Sequence, residues 1–308
     1  MQISLNNATV RLPDILLVGA AKSGTTSIAH QFTRHPGIFL PMAKKEPHFF
    51  SFNAQQPPYR DAAFVKTLVW RPQDYAALYA PAPPQALIAD CSTSYLYRHG
   101  TAIPHLQGTY GEKAGQLALS AILRDPVERA YSHWLYLVRN GHEDLPFEQA
   151  VDPAVVERRK WDRWGFDYLG YGLYAEAVER FQAAFPNFKV YLLEDLKDLQ
   201  ATFDDICKRA GAATCAVEQV QSNPGGVPKN RGLVRTIRRN PLVRSLSHLL
   251  PAGLRNKARA QRDRVLKKAL DRPAMPQVAR EMLNAYYKAD VDRLSRAIGR
   301  DLGHWCAR

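Results

Sequence analysis

Apolar residues in this chain fall into two patterns. Short, mostly apolar runs at 14–18, 86–89 and 117–123 are expected to form buried strands, and 189–193 a further strand. Between and after them, apolar positions recur every three or four residues, the helical period. The first such segment, 25–34, is stopped by His35-Pro36, because the residue before a proline avoids the helical region. Asp125-Pro126 supplies an N-cap and a first-turn proline for a helix to about residue 139. Further helices are predicted over 172–185, 196–210 and 276–298. Strands alternating with helices predict an α/β fold with a central parallel sheet covered on both faces. No repeat or low-complexity segment interrupts the pattern. After Gly211 it becomes irregular and basic until the last helix. The expected organisation is one domain over 1–308, with a core at about 12–215 and a basic helical C-terminal extension at about 216–308.

Composition adds exclusions. At 308 residues, 46% hydrophobic and 23% charged, the chain can bury a large core, and disordered, collagen-like and coiled-coil classes are ruled out. Cys91, Cys207, Cys215 and Cys306 have no metal-type spacing, so neither a disulfide scaffold nor a zinc ribbon is expected. The early apolar run at 15–21 is too short to cross a bilayer and follows no basic segment. A cytoplasmic protein without signal peptide or transmembrane helix is the expectation. The net charge of +13 is concentrated: Lys229, Arg231, Arg235, Arg238, Arg239, Arg244, Arg255, Lys257, Arg259, Arg262, Arg264, Lys267 and Lys268 face a single acid, Asp263. Such a block suits an anionic acceptor or a membrane surface, or is simply a solvated face.

The segment Gly19-Ala-Ala-Lys22-Ser23-Gly24-Thr25-Thr26-Ser27 joins a predicted strand to a predicted helix. There, backbone N–H groups and a helix N-terminus can face an anion, and the Thr and Ser hydroxyls add donors. A glycine turn that only caps a helix would look similar. It is not a Walker A loop, in which the lysine follows the second glycine; here Lys22 precedes Gly24.

Lys22-Ser23-Gly24-Thr25-Thr26-Ser27 resembles the 5′-phosphosulfate loop of sulfotransferases that use 3′-phosphoadenosine-5′-phosphosulfate (PAPS). Leu123-Arg124-Asp125-Pro126-Val-Glu-Arg129-Ala-Tyr131-Ser132-His133 is similar to their 3′-phosphate motif, and Lys45-Glu46-Pro-His48-Phe49-Phe50 to the segment carrying the base in the heparan sulfate branch. The closing Gly299-Arg-Asp301-Leu302-Gly-His-Trp305 looks like the end of bacterial members. The resemblance spans nearly the whole chain. It implies a P-loop-like three-layer fold and transfer of a sulfuryl group from PAPS to a hydroxyl or amine of an acceptor. A carbohydrate, glycolipid or secondary metabolite is the expected acceptor class, with 3′,5′-adenosine diphosphate released and no metal required.

By the same resemblance Lys22 meets the charge developing on the leaving phosphate, with Ser23, Gly24, Thr25, Thr26 and Ser27 around it. Arg124 and Ser132 take the 3′-phosphate, Glu46 is the base, and His48 is its partner or alternative. Lys229, Arg231 and Gly232 resemble the late loop that folds over the nucleotide. Asp90-Cys91-Ser92-Thr93-Ser94-Tyr95 stands where glycosaminoglycan sulfotransferases have Glu-Lys-Thr/Ser-Pro-x-Tyr. Cys91 replaces the lysine that handles sulfated polymer there, which argues against a heparan-like acceptor. Lys45, Asp90, Ser94 and Tyr95 are carried as acceptor-side candidates. Phe49 and Phe50 are expected in the core; the aromatic segment Trp161, Trp164, Tyr168 and Tyr171 is expected to pack in the core or a lid, with stacking of a sugar or aromatic acceptor as the alternative. Arg129 is expected in a helix-surface ion pair. The competing readings are a phosphate-loop nucleotide or metabolite kinase, and a basic nucleic-acid-binding protein. The displaced lysine argues against the first; for the second there is no helix-turn-helix, RNP or zinc pattern.

Overall fold

A computed structural model describes residues 1–5, 8–218, 227–228, 270–271 and 273–306. Its centre is a five-stranded parallel sheet in the order β4-β5-β3-β6-β7, formed by Ile15–Gly19 (β3), Ile38–Phe39 (β4), Leu87–Asp90 (β5), Ala118–Leu123 (β6) and Phe188–Leu192 (β7). Every residue of β3 and β6 is buried, which is why these strands read as apolar runs, broken in β6 only by the buried Ser120. An antiparallel hairpin, Gln2–Leu5 (β1) with Ala8–Arg11 (β2), precedes the sheet. A second two-stranded pair, Val227–Pro228 (β8) with Leu270–Asp271 (β9), follows it.

Helices cover both faces: Thr25–Arg34 (α1), Ala62–Val65 (α2), Pro72–Tyr79 (α3), Ser94–Tyr97 (α4), His99–Tyr110 (α5), Pro126–Arg139 (α6). They continue with Phe147–Ala150 (α7), Pro153–Arg159 (α8), Ala175–Ala184 (α9), Leu199–Arg209 (α10) and Gln277–Ile298 (α11). One core, on the side of α5, α6, α9 and α11, includes Phe49, Phe50, Tyr75, Trp134, Phe181 and Tyr287; the other sets α1 and α10 against the opposite face through Ile28, Phe32, Phe203 and Ile206. The expected α/β architecture and its terminal helix are therefore present. Phe49 and Phe50 are fully buried, as anticipated.

Capping explains the helix starts. Asp125 accepts from the backbone N–H of Val127 at 2.9 Å and of Glu128 at 3.4 Å, with Pro126 in the first turn. The helix expected from 172 begins at Ala175: Gly172 lies against the Tyr287 ring, so close that a Cβ would meet it at 2.7 Å. The helix expected from 196 begins at Leu199, where Asp198 caps Ala201 N. All four cysteines are free. No helix among the described residues is long and apolar enough to cross a membrane.

Candidate functional site

The connections leaving the carboxyl ends of β4, β5, β3 and β6 converge, as expected of an open parallel sheet, where ligands bind beyond those ends. β3 and β6 are neighbours, so the turn after β3 and Arg124 after β6 lie side by side: Arg124 Nη1 reaches the Lys22 carbonyl at 3.4 Å. Together these segments form a cleft of about 860 Å³. Its lining includes Lys22, Gly24, Thr25, Thr26, Ser27, Glu46, His48, Arg124 and Ser132, residues drawn from three separate motifs.

The phosphate-type turn has the backbone such a role needs. Gly24 has φ +91° and is packed so closely that a Cβ would lie 2.7 Å from Leu196 and 2.9 Å from Leu193. Only glycine meets both demands. No side chain caps α1 at Gly24, so its first amides remain available to a ligand at the dipole's positive end. Lys22 (φ +71°) extends to within 4.5 Å of the Tyr136 ring centre. Burial, and then the nearby Arg139 guanidinium, lower its pKa to about 8. On α6, Ser132, Tyr136 and Arg139 follow the i, i+4, i+7 spacing and form one stripe along the cleft. Arg139 has no carboxylate partner among the described residues, and neither has Lys22. Two cations share the Tyr136 ring with no carboxylate paired to either among the described residues, though Glu46 acts on Lys22 from a distance, and such an excess of positive charge suits an anion.

Facing Lys22 is the loop after β4. Lys45 Nζ bonds Glu46 Oε1 at 3.0 Å and reaches Thr26 Oγ1 at 3.4 Å, tying the carboxylate to the phosphate-type turn. Thr93 Oγ1 donates to Glu46 Oε2 at 2.9 Å. Burial would raise the pKa of Glu46, but the Lys45 ammonium leads the opposing influences and holds it below the usual carboxylate value. His48 (φ +64°) is buried; its ring Nδ1 lies 2.8 Å from Ser94 Oγ, and its N–H donates to Ser92 Oγ at 2.9 Å. Burial lowers its pKa to about 4. At neutral pH the pair is thus a carboxylate beside a neutral imidazole.

Not every candidate reaches the cleft wall. Asp90, Ser94 and Tyr95 are buried behind it. Asp90 accepts from Tyr75 OH, Tyr95 OH, Ser92 N and Ser92 Oγ, and Ser92 in turn holds the His48 backbone. This segment braces the Glu46–His48 loop from below. Ser23 is also fully buried under the turn. Lys229, Arg231 and Gly232, with the basic block, lie outside the described residues. Arg129 corrects the expectation of a surface ion pair: it is wholly buried and bonds His133 and the Tyr168 carbonyl. Tyr168 and Tyr171 are buried as expected, whereas Trp164 lines the cleft. His133, Tyr136, Arg139, His142 and Arg163 also line it and were not singled out in the sequence. For Tyr136 and Arg139 a signal existed, since they sit one and two turns beyond Ser132 on the same helix face.

No family model matches the chain. It is 26% identical over 219 residues to the mouse (Mus musculus) bifunctional heparan sulfate N-deacetylase/N-sulfotransferase 3, covering 66% of this chain and 23% of that protein. It is 27% identical over 148 residues to the membrane-associated sulfotransferase kil1 of Dictyostelium discoideum, covering 47% of this chain and 28% of the relative. The chain thus spans about a quarter of the length of the curated relatives it matches. The crystal structure of a sulfotransferase from Alicyclobacillus acidocaldarius superposes with a TM-score of 0.70 at 25% identity, over 96% of this chain and 99% of that one. The fold and these matches together support a sulfotransferase superfamily assignment.

Proposed function

We propose that the protein transfers a sulfuryl group from PAPS to a hydroxyl or amine of a small-molecule or glycan acceptor. The observation that carries the reading is the meeting of three motifs in one cleft: the Lys22 turn, Arg124 with Ser132, and Glu46 with His48. In the transition state negative charge grows on the leaving phosphate oxygen. Lys22 and the first amides of α1 stabilise it, a contribution of about 3–4 kcal/mol for one well-placed donor. Arg124 and Ser132 bind the remote 3′-phosphate and hold the nucleotide in register. Glu46, kept ionised by Lys45 and Thr93, removes the acceptor's proton as it attacks. His48, neutral and fixed through Ser94, lies beside that carboxylate as the alternative base. The transferred group carries less charge than a phosphoryl group, so this chemistry asks for no divalent ion.

The test is thermal unfolding with nucleotides, joined to an acceptor panel. A ligand that binds only the folded state raises the unfolding temperature. The 3′,5′-diphosphate should stabilise clearly more than 5′-AMP, and incubation with PAPS and candidate glycans or metabolites should add the mass of sulfate to one of them. Equal stabilisation by 5′-AMP would remove the 3′-phosphate roles of Arg124 and Ser132. Activity abolished by EDTA and restored by magnesium would return the kinase reading.

A further inference from the structure

Arg129 is the largest fully buried side chain described, and its charge has no carboxylate partner among the described residues. The adjacent Glu128 pairs instead with Arg124 and Arg280. Burying a cation without a counter-ion is costly, and a bound anion reached through a neighbouring donor would offset that cost. Arg129 Nη1 lies 3.2 Å from His133 Nδ1. A guanidinium has donors only, so Nδ1 must accept, and the proton of the neutral imidazole then sits on Nε2. His133 is 1% exposed and lines the cleft. Burial first, then Arg129 and Lys22, hold its pKa well below the ordinary histidine value, so it stays neutral. Gly165 (φ +91°) passes beside the free nitrogen: a Cβ there would lie 2.7 Å from Nε2. The Trp164 ring stands 5.7 Å from His133 and 5.4 Å from His48, centre to centre, and so bridges the two histidines.

We propose that His133 donates its Nε2–H to an oxygen of the sulfuryl group in transit, with Arg129 as the positioning residue that fixes its tautomer and polarises it. The inference rests on the sulfotransferase reading and adds a residue to it. His133 lies within the electrostatic reach of Lys22, which faces the leaving group, and next to Trp164, which abuts His48 on the acceptor side. His133, Lys22 and His48 line the same cleft, in which the transfer is proposed to occur. No proton is transferred. The bond strengthens as charge on the sulfuryl oxygens is redistributed, and the buried Arg129 makes the donor stronger than a lone imidazole.

The tautomer is read first, without turnover, from the ¹⁵N shifts of His133 in the wild-type protein. They should show Nδ1 unprotonated and Nε2 protonated at pH 7; a protonated Nδ1 or an imidazolium overturns the proposal. Inorganic sulfate is then titrated into protein saturated with 3′,5′-adenosine diphosphate, and the Nε2–H signal should shift saturably. The kinetic arm uses His133→Phe, which keeps a ring and removes the donor, and His133→Gln, whose amide can donate near the Nε2 position. His133→Phe should lose about 10²-fold in kcat, in the range measured for removal of one such donor. His133→Gln should recover at least a tenth of wild-type turnover, and both should bind the diphosphate nucleotide within about twofold of wild type. Full turnover in His133→Phe, or parallel loss of nucleotide affinity in both variants, overturns the proposal. If His133→Phe does not fold, His133→Gln and the sulfate titration decide. Protein that binds nucleotide yet transfers to no acceptor defeats the functional reading. An unresponsive Nε2–H in protein that does transfer defeats this inference alone.

Discussion

Lys22 shows most directly how a side chain held in the candidate cleft works against the fold around it. Partly buried beside Arg139, it has a pKa near 8, far below the 10.5 of a free lysine. The native state binds that proton less tightly than the unfolded chain, so the charged lysine costs stability wherever it is protonated in both states. That cost is full below about pH 8 and fades toward pH 10.5, as the folded lysine loses its proton first. Lys22→Met should therefore raise the unfolding temperature of the unliganded protein, most below pH 8, while depressing turnover sharply. Arg124→Ala should instead weaken binding of the 3′-phosphorylated nucleotide, with a smaller effect on kcat, because the 3′-phosphate is remote from the reacting bond. A destabilised Lys22→Met protein, or equal effects of both substitutions on kcat and KM, would contradict this division. At this scale the short motifs of the sequence located residues that the fold brings to one cleft, as with Lys22, Arg124 and Glu46. The sequence misled at Arg129, because a charged residue on a helix normally faces solvent. The groups around this guanidinium, from Tyr168, Tyr171 and Tyr287, come from positions 39 to 158 residues further along, and no local pattern announces them.

Elements were legible in proportion to the strength of their boundary signals. Helix α1, between Gly24 and His35-Pro36, and helix α6, behind Asp125-Pro126, begin and end where those residues require. The hairpin β1–β2 has four residues per strand and β4 only two, too short for a periodic pattern to emerge. The segment following β5 was harder to read. Asp90, Ser94 and Tyr95 were candidates for the acceptor cleft because of where they stand in the chain. Their structural part is to carry hydrogen bonds from the sheet to the loop that bears Glu46 and His48. Thr93 is the member of this brace that touches the carboxylate, at 2.9 Å. Thr93→Val keeps the shape and removes the donor, so Glu46 should lose part of what lowers its pKa. A hydrogen bond of about 1 kcal/mol corresponds to somewhat under one pH unit. The acidic limb of the kcat/KM profile should move upward by up to about that much, with the alkaline limb unmoved. An unshifted acidic limb would transfer the base role from Glu46 to His48 or to solvent.

For the whole molecule the governing quantity is charge and its distribution. Among the described residues the cleft wall carries Lys22, Lys44, Lys45, Arg124, Arg139 and Arg163 against the carboxylate of Glu46, although Arg163 is paired with Asp61, Arg124 with Glu128 and Lys45 with Glu46 itself. The proposed donor, a nucleotide with a 3′-phosphate and a 5′-phosphosulfate, would answer most of that excess. The basic run between Lys229 and Lys268 is a separate matter, since it holds nearly the whole net charge of +13 and lies outside the described residues. If that run recruits an anionic acceptor, its influence on kinetics must weaken with salt, because exposed charges are screened over roughly 8–10 Å at ordinary ionic strength. Reversing Arg235, Arg238, Arg239 and Arg244 to glutamate should then raise the acceptor KM and flatten its dependence on ionic strength. Affinity for 3′,5′-adenosine diphosphate should hardly change, because none of these four is among the donor-side candidates Lys22, Arg124, Ser132, Lys229, Arg231 and Gly232. The comparison is made at three or more salt concentrations, with the acceptor identified by the mass-gain panel. Kinetics that are independent of salt in the wild type and unchanged in the variant would make the run a solvated face. The acceptor would then be a neutral molecule, recognised by the cleft walls alone.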